Sequence, residues 1–180
     1  LVAGAVLIWV TGGDPILAYG GLWEGSFGRA VSISETLVWA TPYILAGLAV
    51  GLAFRGGLFN IGAEGQISVG ALVSAWVGFG ISGVPWPLHL LLALLAGALA
   101  GAVWAGFAGL LKARTGAHEV ITTIMLNYVA LQIVQLALRT DFMRPPTGSE
   151  PISKVIDFVR VPQLIPLPGL RLHWGFVVAL

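Results

Sequence analysis

Cysteine is absent from this 180-residue sequence, which excludes disulfides, thiol nucleophiles and thiolate metal sites together. Charge is scarce as well: 9% of residues are Asp, Glu, Lys or Arg, against about 25% in soluble domains. The few charges sum to +1 and give no electrostatic case for nucleic acid, which calls for a basic patch or stripe. Also missing are a Walker A loop, a G-x-S-x-G elbow and a dinucleotide-binding glycine fingerprint, so neither ATP hydrolysis nor hydrolase chemistry is encoded in this portion. There is no internal repeat and no low-complexity tract. What remains is apolar: 57% hydrophobic residues and a mean hydropathy of +0.92, the composition of a protein that lives in a bilayer.

The apolar residues form runs approaching the ~20 residues that a helix needs to cross a membrane. Leu1 to Val10 is half such a run, and Phe176 to Leu180 lies within another, so the sequence reads as a fragment of a longer protein. Between them, spanning helices are expected over Leu37 to Phe54, Ile67 to Ile81, Leu88 to Leu111 and Val120 to Leu138. The expected fold is all-α, a polytopic transmembrane helical bundle. It forms a single transmembrane domain over residues 1–180, with about four complete spans' worth of helices and truncated spans at both ends.

Local signals place the breaks. Asp14 can cap a short helix whose first position is Pro15, and Tyr19 and Trp23 suit the headgroup level. Ser32-Ile33-Ser34-Glu35 has the spacing of a capping box and predicts a helix start at Ser32. Pro42 predicts a kink within that helix. Gly47 and Gly51 form a GxxxG pair, and Ala93, Gly97, Gly101, Ala105 and Gly109 place a small residue at every fourth position along the Leu88–Leu111 run, so both helices are expected to pack closely on neighbours. Ile152 to Val159 alternates apolar and charged residues and suits a short helix on the membrane surface. Arg55, Lys112 and Arg114 end spans on one side, whereas the Pro85-Trp86-Pro87 turn on the other carries no Lys or Arg. The positive-inside rule makes the first side cytoplasmic and leaves residues 11–34 and 139–173 as extracytoplasmic segments.

Two polar features interrupt the apolar background. Phe59-Asn60-Ile61-Gly62-Ala63-Glu64-Gly65-Gln66 follows Arg55-Gly56-Gly57-Leu58, and Gly56, Gly57, Gly62 and Gly65 oppose a continuous straight helix. Ionisable groups at membrane depth are expensive and usually mark function. Asn60, Glu64 and Gln66 are therefore expected to line a path for a polar solute, with Phe59 as a stacking surface. The bland reading of the same residues is that they cap a broken helix and bind one another. The second feature is a polar face of Thr123, Asn127 and Gln135, with His118 and Glu119 at its start. Asn127 is a second candidate for the path, and interhelical glue is the competing reading; Tyr128 is open to stacking. His118-Glu119-Val120-Ile121-Thr122 begins like an H-E-x-x-H zinc motif, but Thr122 stands where the second His is needed, so no metal site and no cofactor is expected.

Phe54-Arg55-Gly56-Gly57-Leu58-Phe59-Asn60-Ile61-Gly62-Ala63-Glu64-Gly65-Gln66, followed by Gly116-Ala117-His118-Glu119-Val120-Ile121-Thr122-Thr123-Ile124-Met125-Leu126-Asn127-Tyr128, resembles the permease subunits of bacterial ABC importers of the branched-chain amino acid, ribose and nucleoside group. Within that group it is most similar to the simple-sugar and nucleoside permeases. The resemblance implies a multi-pass permease of the bacterial plasma (inner) membrane that moves a nucleoside, a ribose-type sugar or a related small polar solute and is not itself an enzyme. It further implies a second permease subunit in a homo- or heterodimer, an ABC ATPase subunit, an extracytoplasmic solute-binding protein and the lipid bilayer as partners. The ATPase-docking loop is expected beyond Leu180. The competing class is a secondary transporter or channel that uses Glu64 as an ion- or proton-coupled group. An intramembrane enzyme would need more than the isolated His118-Glu119 pair.

Overall fold

The computed structural model describes residues 1–146, 150–156, 159–167 and 169–180. Among them the chain is all-α, with helices α1 (Val2–Val10), α2 (Pro15–Phe27), α3 (Ala30–Arg55), α4 (Ala63–Gly80), α5 (Trp86–Thr115), α6 (Glu119–Leu138) and α7 (Trp174–Ala179). α3, α5 and α6 are long and apolar enough to cross a membrane. α4 has 18 residues and carries Glu64 and Gln66 in its first turn, which lowers its apolar content.

The side chains are distributed inside out. Trp39, Leu52, Leu99, Ile121 and Leu136 are exposed, while Ser34, Thr41, His89 and Thr123 are buried, as are the small residues Ala93, Ala108 and Ala130. In water this would be unstable, because apolar burial drives folding there. In lipid no such force operates between helices, so small and hydrogen-bonding residues mediate the contacts and large apolar ones face outward.

The chain divides into two compact units, Leu1–Leu45 with Val161–Leu180, and Ala46–Arg160. In the first, the Asp14 carboxylate accepts hydrogen bonds from the Ile16 and Leu17 amides at 2.8 and 3.3 Å and caps α2, with Pro15 at the first helical position. The start expected at Ser32 is displaced: α3 begins at Ala30. Ser34 and Glu35 are taken up by distant partners instead. The Ser34 hydroxyl accepts from the Arg171 and Leu172 amides, both at 3.1 Å, and Glu35 pairs with the Arg171 guanidinium at 3.3 Å. α3 continues as helix through Pro42.

In the second unit α4, α5 and α6 pack on one another. α4 and α5 meet on glycine: a methyl group at Gly70 would stand 2.8 Å from the Gly97 carbonyl oxygen, one at Gly97 would stand 2.9 Å from the Gly70 oxygen, and one at Gly101 would stand 3.1 Å from the Gln66 oxygen. At the far end of α4, buried His89 of α5 brings its Nε2 to 2.9 Å from the Val77 carbonyl oxygen, which in the last turn of α4 receives the Ile81 amide in a long bond, at 3.4 Å. Residues 152–156 are not helical, in contrast to the surface helix expected over Ile152 to Val159; Asp157 and Phe158 of that stretch lie outside the described residues. The Lys154 amide donates to the Met143 carbonyl at 2.8 Å, its ammonium lies 5.7 Å from the centre of the Phe79 ring, and Ile156 fills the space beside Gly78.

Candidate functional site

The site is built on the connection from α3 to α4. α3 stops because Gly57 takes φ +75°, a conformation that glycine adopts without steric cost. The Gly57 amide then donates to Phe54 O at 3.1 Å and the Leu58 amide to Ala53 O at 2.9 Å, a paired closure known as a Schellman motif. Phe59 packs on Phe54 with ring centres 5.2 Å apart.

The chain then turns on its own side chains. Asn60 Oδ1 accepts from the Gly62 amide at 2.8 Å and from Gln66 Nε2 at 3.1 Å. α4 starts with Gly62 as its N-cap, which has no side chain to satisfy the first free amides. α6 supplies what is missing. Asn127 Oδ1 accepts from the Gly65 amide at 2.9 Å, and Asn127 Nδ2 donates to the Ile61 carbonyl at 3.0 Å, so the cap of α4 is delivered from another helix. One turn earlier the Thr123 hydroxyl accepts from the Ile61 amide at 3.2 Å and donates to Glu119 O at 2.8 Å. One turn earlier again, the Glu119 carboxylate pairs with Lys112 of α5 at 2.6 Å. Residues 119, 123 and 127 are successive fourth positions, which share one helix face, and this ladder holds the connection by its backbone. The crossing is close: a methyl group at Gly65 would stand 2.9 Å from Asn127 Oδ1.

Glu64 is not in the ladder. It is exposed in the first turn of α4, and its side chain makes no hydrogen bond or ion pair among the described residues. It lines a recess of about 280 Å³ with Ile124, Asn127, Tyr128 and Leu131. A second recess, of about 120 Å³, has Asn60, Ala105, Gly109, Lys112, Glu119 and Thr123 in its wall.

Of the residues singled out in the sequence, the structure thus gathers Asn60, Gln66 and Asn127 around the start of α4 and sets Glu64 beside Asn127 in the recess. Phe59 is exposed on Phe54 and lines neither cavity, and Gln135 is exposed and outside the ladder. Among the small residues, Ala93 is buried and Gly97 and Gly101 sit against α4. Gly47, Gly51 and Gly109 have open space where a methyl group would stand. Lys112 and Thr123 carry more of the site than the sequence suggested. Their signal was the four-residue spacing from Glu119 to Asn127 and a lysine seven positions before Glu119. Among the described residues no group of three or more His, Asp or Glu is placed to hold a metal ion.

Residues 32–160 match the family described as branched-chain amino acid transport system / permease component. The chain belongs to that family. Similarity to individual members extends along its whole length. It is 44% identical over 181 residues to a guanosine ABC transporter permease protein of Bacillus subtilis, with 100% of the chain and 51% of that relative covered. It is 41% identical to a glucose ABC transporter permease protein of Haloferax volcanii, over 94% of the chain and 44% of the relative. A nucleoside ABC transporter permease protein of Lactococcus lactis is 37% identical over 78% of the chain and 39% of its own length. The chain thus spans about half the length of these relatives. No solved structure matches it.

Proposed function

We propose that this chain is part of the membrane-spanning permease subunit of an ATP-driven ABC importer that carries a nucleoside or a related sugar-bearing solute across a bacterial plasma membrane. The observation that carries the reading is its identity of 44% to a guanosine permease and 41% to a glucose permease along nearly its whole length. Solute arrives from an extracytoplasmic binding protein, the path forms against a second permease subunit, and ATP is hydrolysed by separate ATPase subunits, so the permease has no catalytic residues of its own. ATP binding and hydrolysis bias a two-state equilibrium between outward and inward openings. In this scheme Glu64, Asn127 and Tyr128 face the solute, and Asn60, Gln66 and Thr123 keep that wall in place. Residues 11–34 and 139–173 lie outside the cell.

The test is reconstitution of the full-length permease with its partner subunits in vesicles. Uptake is expected to require ATP, to stop when the ATPase partner loses its Walker A lysine, and to survive collapse of the proton and sodium gradients. Uptake that instead follows an ion gradient and ignores ATP would replace the importer with a secondary transporter in which Glu64 is the coupled group.

A further inference from the structure

The glutamates of α3, α4 and α6 meet different fates. Glu35 is paired with Arg171 and Glu119 with Lys112, whereas Glu64 has no partner among the described residues. No Lys, Arg or His lines its recess, so no built-in cation neutralises it. Its place in the first turn of α4 supplies part of the compensation, because the positive end of a helix dipole favours an anion there. An ionised carboxylate can only accept hydrogen bonds, through two oxygens, and its best complement is a pair of parallel donors. The surroundings are those of a small-molecule wall. Ile124 and Leu131 are apolar, and the Tyr128 ring is exposed. Asn127 has one Nδ2 proton left after Ile61 has taken the other. The volume of about 280 Å³ is close to the lower end of the range for small-ligand pockets, about 300–1,000 Å³.

We propose that the Glu64 recess binds a neutral solute through two adjacent O–H or N–H donors received by the two carboxylate oxygens, with the Tyr128 ring against the solute's face and the spare Asn127 proton on a neighbouring acceptor. The inference rests on the importer reading above and gives its solute a recognition chemistry. A nucleoside can present such a donor pair in two places, the vicinal ribose hydroxyls and the N1–H and 2-amino edge of guanine.

The experiment uses the full-length permease with its ATPase and binding-protein partners in vesicles. The binding protein is saturated with each solute, so that the maximal rate reports selection along the membrane path. Guanosine is compared with 2′-deoxyguanosine, which lacks one vicinal hydroxyl, and with inosine, which lacks the 2-amino group; choline is the cationic probe. Hydrogen bonds to a charged group are worth about 1.5–3 kcal/mol, so the wild type is expected to favour guanosine over one analogue by roughly tenfold or more, and the disfavoured analogue identifies the donor pair. Glu64→Gln is expected to bring that ratio to about one. If this variant inserts poorly, carbodiimide modification of Glu64 in the wild type replaces it as the readout, with guanosine protecting better than the disfavoured analogue. An unchanged ratio in Glu64→Gln, equal rates for all three solutes in the wild type, equal protection, or protection of Glu64 by choline overturns the inference and leaves the importer intact. A complex that moves solutes under ATP but none that carries two adjacent O–H or N–H donors overturns the inference alone, and one that moves no solute under ATP overturns the importer reading with it.

Discussion

Asn127 engages both ends of its amide with backbone groups 62 and 66 residues away. A side chain used this way is costly to remove, because Asn127→Ala leaves the Gly65 N–H and the Ile61 carbonyl without partners, and each unsatisfied buried group costs about 1–3 kcal/mol. In a membrane the loss is smaller, since the unfolded chain also finds partners and measured interhelical hydrogen bonds average about 0.6 kcal/mol. Two such bonds lead us to expect a total of about 1–2 kcal/mol, read as a lower midpoint of thermal unfolding for the detergent-solubilised full-length permease. Gln135→Ala on the same helix, which removes no such bond, is expected to leave the midpoint unchanged. Equal effects from the two variants would mean that Asn127 is no cap. Lys112 offers a second check at this scale. Lys112→Met removes the ion-pair partner of the Glu119 carboxylate and is expected to lower folded yield. Glu119→Gln added to Lys112→Met is expected to recover part of it, because the uncompensated charge is gone. A double variant worse than the single one contradicts that account.

At the scale of helices, the pairing of α4 with α5 depends on the absence of side chains at two facing positions. Gly70 and Gly97 each hold the other's carbonyl at a distance where a methyl group would meet backbone oxygen at 2.8 and 2.9 Å, and backbone cannot swing aside as a flexible side chain can. Gly70→Ala and Gly97→Ala are each expected to separate the helices and reduce monodisperse protein on size exclusion. Gly109→Ala, with open space at its methyl position, is expected to leave the profile unaltered. This contrast also shows how far the sequence could be read. The run from Ala93 to Gly109 announces close packing, yet its regular spacing cannot say that Gly97 and Gly101 face α4 while Gly109 faces open space. Asp14-Pro15 was legible because its partners, the Ile16 and Leu17 amides, lie within three residues. The Ser32 start was misread because the groups that claim Ser34 and Glu35 lie more than 130 residues on. Asn60, Glu64 and Gln66 were found together by their polarity against an apolar background. Their division into two braces and one unpaired carboxylate rests on the local bonds of Asn60 to Gly62 and Gln66, while the α6 ladder that holds the backbone around them shows in the sequence only as polar residues at helical spacing.

The whole molecule inverts the soluble pattern, with small and polar residues buried and large apolar ones exposed, and such a chain fixes its orientation by where its few cations fall. Arg55, Lys112 and Arg114 end α3 and α5, and the α4–α5 turn has neither Lys nor Arg. Short loops weigh most in the positive-inside rule, so we expect the two ends of α5 on opposite sides, with Thr115 inside and Trp86 outside. The lack of cysteine in the chain makes the test clean. In a full-length permease kept free of other cysteines, Ser82→Cys and Ala113→Cys, both at exposed positions flanking or ending α5, each introduce one thiol. A maleimide that cannot cross the membrane is expected to label Ser82→Cys in intact cells and Ala113→Cys only after permeabilisation. The reverse pattern would turn the molecule over and put the Lys112–Glu119 pair outside. Labelling of both thiols in intact cells would mean that α5 does not cross, and the Glu64 recess could then no longer belong to a transmembrane path.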